Sequence, residues 1–292
     1  MENLKVLIFG SGRRVKNDLF PVLINLGIDA SQIVVVRRSR RKEPWHSKSQ
    51  VFSLEEVNQK LAVPDIVFIC VPPLEIALCL EAISKTSYCG QVFIDTPISI
   101  SSEEIHKYQS RFQMNVLEDN GLLPFIPDMQ KVNYGFRLIL NWRCFYNYHG
   151  VAFFRAVLKG AMTIRLSKGF GRFRVLVLSG SRTLIISITP YNYKKGSLKI
   201  FEINDLCRPL IISDLTKFST KAALYSDLQE SEYKADSPLT SIDEIARREP
   251  VEFMNYWKRV GLFIGIGSFL NHGQMMFPSI HESFENEKPF LR

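Results

Sequence analysis

The chain has 292 residues, of which 46% are hydrophobic and 23% are charged, and its formal net charge is +8. These values are ordinary for folded proteins and exclude a disordered or low-complexity chain, while the length indicates about two domains. The five cysteines contain no Cys-x-x-Cys pair, so we expect neither a disulfide framework nor a metal site such as zinc.

Export, membrane insertion and nucleic-acid binding are not favoured by the sequence. The longest apolar run, residues 261–270, is far shorter than the roughly 20 residues that span a bilayer. The N-terminus shows no signal-peptide pattern. The basic excess is densest in residues 37–42, without the interleaved aromatic residues of a nucleic-acid surface. We therefore expect a cytoplasmic protein whose partner is a small-molecule substrate, not a nucleic acid or a membrane.

The first 120 residues alternate strand-like and helical patterns. Helical spacing or capping signatures begin near Asn17, Ser53, Leu74 and Ser101. The apolar runs predict strands at Lys5–Phe9, Gln32–Val36, Asp65–Cys70, Gln91–Ile94 and Met114–Leu117. Apolar strands that alternate with helices are typical of a parallel sheet covered on both faces. Residues 1–120 are therefore predicted to form a Rossmann dinucleotide-binding domain, in an α/β fold.

The pattern changes after about Glu118. Helices are predicted at Tyr148–Leu158, Ser241–Arg247 and Val251–Leu270. Strand-like runs separated by turn residues lie at Met162–Leu166, Phe173–Leu178, Thr183–Ile188, Leu198–Ile203 and Leu210–Ile212. Such runs are typical of an antiparallel meander. Residues 121–292 are therefore predicted to form an α+β domain with an open antiparallel sheet, for substrate binding and oligomerisation.

A glycine-rich turn follows the first strand and precedes a helix. Two glycines let the backbone turn tightly and approach a pyrophosphate, which the helix N-terminus attracts. Val15 stands where the dinucleotide fingerprint has a third small residue. A plain strand–helix turn is the alternative, but the location favours a phosphate turn. The predicted cofactor contacts here are Gly10, Ser11, Gly12, Arg13 and Arg14.

The end of the second strand bears on the choice of dinucleotide. An NAD site usually carries an acidic residue there, whereas this strand ends in Arg37, Arg38 and Ser39. A guanidinium suits a 2′-phosphate, and we expect no acidic residue to be present that would repel that phosphate. We therefore predict NADP(H) as the cofactor. The alternative is a solvated basic loop.

Two further turns follow the third and fourth predicted strands of this domain, Val71-Pro-Pro and Asp95-Thr-Pro. Because the carboxyl ends of parallel strands share one edge of the sheet, both turns are expected beside the cofactor. The predicted cofactor contacts are Val71, Pro72, Pro73, Asp95 and Pro97.

These motifs resemble the Gfo/Idh/MocA oxidoreductase family. The matching segments, in order over nearly the whole chain, are Gly10–Leu23, Val71–Pro73, Asp95–Pro97 and Tyr148–Leu158. The resemblance implies a Rossmann domain joined to a domain with an open antiparallel sheet, through which a homo-oligomer often forms. It also implies hydride transfer between a nicotinamide and a sugar-like or other small polar substrate, at C=O or C=N.

Two departures from the family bear on catalysis. The family's Glu-Lys-Pro motif is Asp95-Thr96-Pro97 here, and Thr96 can only orient a hydroxyl or a water, whereas the Lys helps to move a proton. The family's Asp four residues before its active-site His is Phe145 here. The resemblance therefore carries over His149 as a proton donor or acceptor, without its usual partners. A catalytically degenerate binding or scaffold protein is the alternative function, and a buried structural His is the alternative for His149.

Five residues are predicted to contact the substrate. Aromatic and Arg side chains suit sugars or carboxylates, and a polar turn after the last Rossmann strand can hydrogen-bond a polar substrate. The residues are Asp119, Asn120, Trp142, Arg143 and Tyr146. The alternative for Trp142, Arg143 and Tyr146 is core packing. The alternative for Asp119 and Asn120 is a simple turn.

Overall fold

The structure is a computed structural model. It describes residues 4–38, 44–46, 48–57, 63–98, 100–122, 137–142, 156, 163–169, 172–179, 182–188, 197–203, 209–214, 219–222, 231–234 and 253–287. The chain divides into two compact units. Unit 1 comprises Met1–Glu118 and Leu262–Glu287, and unit 2 comprises Asp119–Gly261 and Lys288–Arg292. From the sequence all of residues 121–292 are expected in one domain, but Leu262–Glu287 join the first unit.

Unit 1 is built on a six-stranded sheet in the order β3-β2-β1-β4-β5-β6. The strands are β1 (Val6–Phe9), β2 (Ile33–Val36), β3 (Gln50–Phe52), β4 (Ile66–Ile69), β5 (Gln91–Ile94) and β6 (Gln113–Val116). All neighbouring pairs are parallel. Every residue of β1, β4 and β5 is buried, which explains why these strands are apolar except for Gln91 at the start of β5. The predicted Rossmann sheet is confirmed, with β3 as an additional edge strand.

Among the helices of unit 1, the one at Ser102–Gln109 begins where a capping signal predicts. The α-helices are α1 (Phe20–Asn25), α2 (Ile76–Ser84), α3 (Ser102–Gln109), the part of α4 (Phe253–His272) from Leu262 onward, and α5 (Ile280–Glu287). Ser101 caps α3 in a reciprocal box: its hydroxyl accepts from the Glu104 N–H (3.1 Å), and the Glu104 carboxylate accepts from the Ser101 N–H (2.8 Å). Ser53 forms the same kind of box at the start of the 3-10 turn Leu54–Glu56.

The C-terminal segment completes the core of unit 1. Phe269 and Phe277 pack edge-to-face on Phe93 of β5, with ring centroids 5.5 and 5.8 Å apart. The Asn115 side chain of β6 donates to the Phe277 carbonyl (3.0 Å). These contacts bury aromatic surface that would otherwise face water beside the sheet. They explain why the last segment of the chain belongs with the first unit.

Unit 2 contains a second six-stranded sheet, in the order β12-β11-β7-β10-β9-β8. Its strands are β7 (Arg137–Trp142), β8 (Thr163–Gly169), β9 (Arg172–Ser179), β10 (Arg182–Ile188), β11 (Ser197–Ile203) and β12 (Pro209–Asp214). A separate antiparallel pair consists of β13 (Ser219–Ala222) and β14 (Ser231–Lys234). The predicted antiparallel strands β8–β10 and β11–β12 are confirmed. The sheet as a whole is mixed, because β7 pairs in parallel with β10.

Two predicted helices, Tyr148–Leu158 and Ser241–Arg247, lie outside the described residues except for Ala156. Within the part of the chain that the structure describes, no helix combines the length and the apolar character needed to cross a bilayer.

Candidate nucleotide-binding site

The candidate site lies at the carboxyl edge of the parallel sheet in unit 1. In open α/β sheets, ligands bind outside the carboxyl ends of the strands, where the strand order reverses. Here β1 has β2 on one side and β4 on the other, and β5 follows β4. The sheet therefore brings together the four turns that the sequence singles out, after β1, β2, β4 and β5.

Gly10, in the turn after β1, cannot be replaced by another residue without strain. Its φ is +108°, in the region that favours glycine. Its N–H donates to the Val36 carbonyl of β2 (2.8 Å). A Cβ would overlap the Cys70 carbonyl oxygen after β4 and lie 2.9 Å from that carbonyl's carbon. Gly10 thus lets the ends of three neighbouring strands approach one another closely.

Gly12 has the opposite environment. Its φ lies outside the left-handed region, and a Cβ there would meet no atom of the described residues within 4 Å. Both Gly12 and Arg13 are exposed, while Ser11 is half-buried. The Gly12 carbonyl accepts from the Lys16 N–H (3.0 Å) as the helix begins. Among the described residues, the space beside Gly12 at the start of the helix is therefore unfilled, which suits an anion such as a pyrophosphate.

Val15 occupies the place of the third small residue of the fingerprint. It is fully buried and begins a π-helical segment, Val15–Leu19, that continues into α1. The Phe20 N–H donates to the Val15 carbonyl five residues back. A π-turn is uncommon and often occurs at functional sites. The valine is thus accommodated inside the core, and the turn in front of it is preserved.

Arg14 is directed towards the turn after β5. Its Nε donates to the Asp95 carboxylate (3.1 Å), and its Nη1 lies 3.4 Å from the Asp18 carboxylate. The three side chains are only 18%, 15% and 6% exposed, respectively. Two carboxylates offset the charge of this guanidinium, so Arg14 links the turns after β1 and β5. A direct contact of Arg14 with the cofactor stays a prediction.

Cys70 lies buried beside this ion-pair network. Burial raises the pKa of its thiol well above the usual value, and the charge of Asp95 raises it further. The thiol is therefore neutral at physiological pH, which excludes it as a nucleophile because only the thiolate attacks. Cys70 acts as a small apolar residue where the strands converge.

The end of β2 carries an ion pair that the sequence does not reveal. Arg37 is half-buried, and its N–H donates to the Phe52 carbonyl of β3 (3.0 Å). The exposed guanidinium of Arg38 pairs with the carboxylate of Glu75, which belongs to the turn after β4. An acidic residue therefore does stand beside the arginines, although it comes from a different strand. Ser39 lies outside the described residues.

The turns after β4 and β5 line the rest of this edge. The Asp95 N–H donates to the Ile69 carbonyl of β4 (2.8 Å). Asp95, Thr96 and Pro97 are each half-buried, and the Thr96–Pro97 bond is cis. Val71 and Pro73 are half-buried and Pro72 is exposed. These residues lie at the same edge of the sheet as the turn after β1, and their contact with a cofactor stays a prediction.

The predicted substrate residues belong to unit 2. Asp119 is buried, in the 3-10 turn Asp119–Leu122 that also contains Asn120. A Cβ at Gly261 of α4 would lie 2.5 Å from the Asp119 carbonyl oxygen, so α4 packs closely on this turn. Burial favours a packing role for Asp119, and its substrate contact stays a prediction.

Trp142 is the last residue of β7, where its backbone is in register with Leu198 of β11. Arg143 and Tyr146, together with the proposed proton-transfer residue His149, lie outside the described residues. Their roles therefore also stay predictions.

The sequence matches no protein-family model and no curated protein, but many solved structures share its fold. A dehydrogenase (MviM) from Clostridium difficile aligns with a TM-score of 0.66 at 10% identity, over 99% of this chain and 98% of its own. The WlbA dehydrogenase from Chromobacterium violaceum, solved with NADH and UDP-GlcNAcA, aligns with a TM-score of 0.59 at 13% identity, over 100% and 92%.

A super-repressor mutant of Gal80p from Saccharomyces cerevisiae also aligns, with a TM-score of 0.65 at 10% identity, over 100% of this chain and 95% of its own. At these identities the likeness establishes the fold and not the activity. Nearly full coverage of both chains in each case shows that the second unit is included in the likeness. The chain has the fold of the Gfo/Idh/MocA-type oxidoreductases.

Proposed function

We propose that the chain is an NADP(H)-dependent oxidoreductase that transfers hydride to or from a sugar-like or other small polar substrate, at C=O or C=N. The observation that carries this proposal is the Gly10–Gly12 turn. It stands at the end of the central strand β1, holds a glycine that cannot be replaced, and leaves open space in front of a helix N-terminus. Such a turn suits a pyrophosphate.

The arginines after β2 support NADP(H) over NAD(H). Arg37 and Arg38 stand where the adenosine ribose lies in this fold, and a guanidinium binds a phosphate with paired hydrogen bonds. The WlbA structure of the same fold holds NADH, so the fold by itself does not favour NADP(H). The basic residues are therefore the reason for proposing NADP(H).

The chain's own residues would bind the cofactor, orient the substrate and transfer the proton. A bound nicotinamide supplies or accepts the hydride. The helix N-terminus after Gly12 holds the pyrophosphate, and the turns after β4 and β5 border the nicotinamide half. Thr96 orients a hydroxyl or a water, and His149 gives or takes the proton that accompanies hydride transfer. Assembly into a homo-oligomer through the sheet of unit 2 is a further part of this proposal.

Gly12→Ala tests the nucleotide site without disturbing the fold. Since a Cβ at Gly12 meets no described atom within 4 Å, the melting temperature should stay within about 2 °C of wild type. The added methyl instead occupies the space of the pyrophosphate, so NADPH affinity in a fluorescence titration should fall about tenfold or more.

Gly27→Ala is the matched control. Gly27 has a φ of +87° and lies outside the candidate site, so this variant should melt lower yet bind NADPH like wild type. A wild-type chain that binds no NADPH at submillimolar concentration would refute the proposal. Equal affinity of the Gly12→Ala variant and wild type would remove the role given to this turn.

A catalytically degenerate binding or scaffold protein is the second candidate. The turn after β5 favours it, because Thr96 replaces the Lys of the related enzymes and the Asp95 carboxylate is engaged by Arg14. The Gal80p structure of the same fold is a super-repressor mutant. NADPH binding without oxidation of bound NADPH by carbonyl or imine substrates would favour the scaffold. A measured turnover that His149→Ala abolishes would exclude it.

A further inference from the structure

The ion pair between Arg38 and Glu75 joins two turns of the candidate site. Arg38 is the second residue after β2, and Glu75 ends the 3-10 turn Pro73–Glu75 that follows β4. β2 and β4 are the two neighbours of β1, and adjacent strands lie about 4.8 Å apart. The pair therefore bridges the two strands that flank the Gly10–Gly12 turn, on the side where an adenosine ribose would lie.

The carboxylate of Glu75 does not cap the helix that follows it. Glu75 is the N-cap residue of α2, yet its side chain makes no capping hydrogen bond with that helix, although the helix dipole favours an acidic residue there. The side chain is directed across the site to Arg38. Glu75 is 26% exposed and Arg38 is 86% exposed. The guanidinium, which carries five N–H donors, thus remains accessible to a second anion.

We propose that Glu75 sets the selectivity between NADP(H) and NAD(H) by competing with the 2′-phosphate for Arg38. This inference rests on the proposed nucleotide site. A 2′-phosphate that contacts Arg38 would lie beside the carboxylate of Glu75. Two negative groups that share one guanidinium repel each other. A ribose 2′-hydroxyl carries no charge, so NAD(H) leaves the ion pair intact. Glu75 therefore lowers the preference for NADP(H) that Arg37 and Arg38 provide.

Glu75→Gln tests this role because it removes the charge and keeps the shape. NADPH should bind about fivefold more tightly, the effect expected of one exposed charge interaction, while NADH affinity should change less than about twofold. Glu81→Gln is the matched control. Glu81 lies on the same helix and pairs with Lys85 (2.9 Å) at the spacing of one helical turn, and its substitution should leave both affinities unchanged.

Variants at Arg38 separate competition for this residue from a general change in charge. Arg38→Gln should weaken NADPH binding, and the Arg38→Gln/Glu75→Gln double variant should show no gain over Arg38→Gln alone. The gain from Glu75→Gln should also shrink as ionic strength rises, because the pair is exposed to salt. Melting temperatures establish that each variant is folded, and Glu75→Ala serves as a second neutral variant.

The outcomes are distinct from those of the proposed function. A wild-type chain that binds neither NADPH nor NADH refutes the proposed function and this inference with it. A wild-type chain that binds them, combined with a Glu75→Gln variant of unchanged selectivity, overturns only the inference. Equal shifts of NADPH and NADH affinity in the Glu75→Gln variant would also overturn it, because they would show an effect that does not involve the 2′ position.

Discussion

The turns after β1 and β5 lie at the same edge of one sheet, but they match the motifs of the family that the sequence resembles to different degrees. In the proposed function, Gly10-Ser11-Gly12 acts through its backbone, which must turn tightly and leave room for a phosphate. Asp95-Thr96-Pro97 would act through side chains, and Thr96 stands where the family that the sequence resembles has Lys. A backbone requirement of this kind tolerates almost no substitution, whereas a side chain can change while the fold stays intact. We therefore expect the proposed nucleotide binding and the proposed catalysis to be separable in this chain.

The same two turns are nevertheless joined by one side chain. Arg14, two residues after Gly12, reaches the carboxylate of Asp95 (3.1 Å). Both side chains are largely buried, so water screens their mutual attraction less than it screens a surface ion pair. A change in the turn after β5 can therefore displace the start of the helix after β1, even where it leaves the fold unchanged.

The largest expected effect is on stability, from Gly10→Ala. Its φ of +108° alone costs a non-glycine residue about 1–3 kcal/mol, and the overlap with the Cys70 carbonyl adds to that cost. We expect the free energy of unfolding in a urea titration to fall by about 3 kcal/mol or more. Gly27→Ala shares the positive φ but not the overlap, so it should cost less. Equal losses would show that the close approach to Cys70 contributes nothing.

A smaller effect is expected from separating Arg14 and Asp95. Arg14→Met and Asp95→Asn should each lower the free energy of unfolding by about 1–3 kcal/mol, because each leaves a partly buried charge without one of its hydrogen bonds. In the double variant the losses should fall short of additivity by about 1 kcal/mol. Arg13→Met, at the exposed neighbouring position, is the control and should change stability by less than about 0.5 kcal/mol. Strict additivity would show that the two turns are not energetically linked.

The sheet of unit 1 could be predicted because its strands obey a local rule. β1, β4 and β5 are buried on both faces. Each therefore appears in the sequence as a run of at least three apolar residues that ends in a turn. The edge strand β3 escaped prediction for the opposite reason. Its three residues, Gln50–Phe52, are exposed or half-buried and show neither an apolar run nor an alternating pattern.

The charges of the site could not be predicted, because sheet order and not sequence distance brings them together. Arg38 and Glu75 are 37 residues apart, and Arg14 and Asp95 are 81 apart. The sequence places each of them correctly at the end of a strand or the start of a helix. Which charge meets which depends on β2, β1, β4 and β5 being neighbours, and on the rotamers chosen there. For this reason, the expectation that no acidic residue lies beside Arg38 is wrong.

The smallest expected effect concerns catalysis at Thr96. Thr96→Val keeps the shape of the side chain and removes only the hydroxyl, so NADPH affinity should stay within about twofold of wild type. If the hydroxyl orients the reacting group, single-turnover oxidation of bound NADPH should slow about fivefold, which corresponds to one hydrogen bond of about 1 kcal/mol. Thr96→Ser retains the hydroxyl and should restore the rate. A Val variant that reacts at the wild-type rate would show that the turn after β5 has lost its part in the chemistry while the turn after β1 keeps the nucleotide.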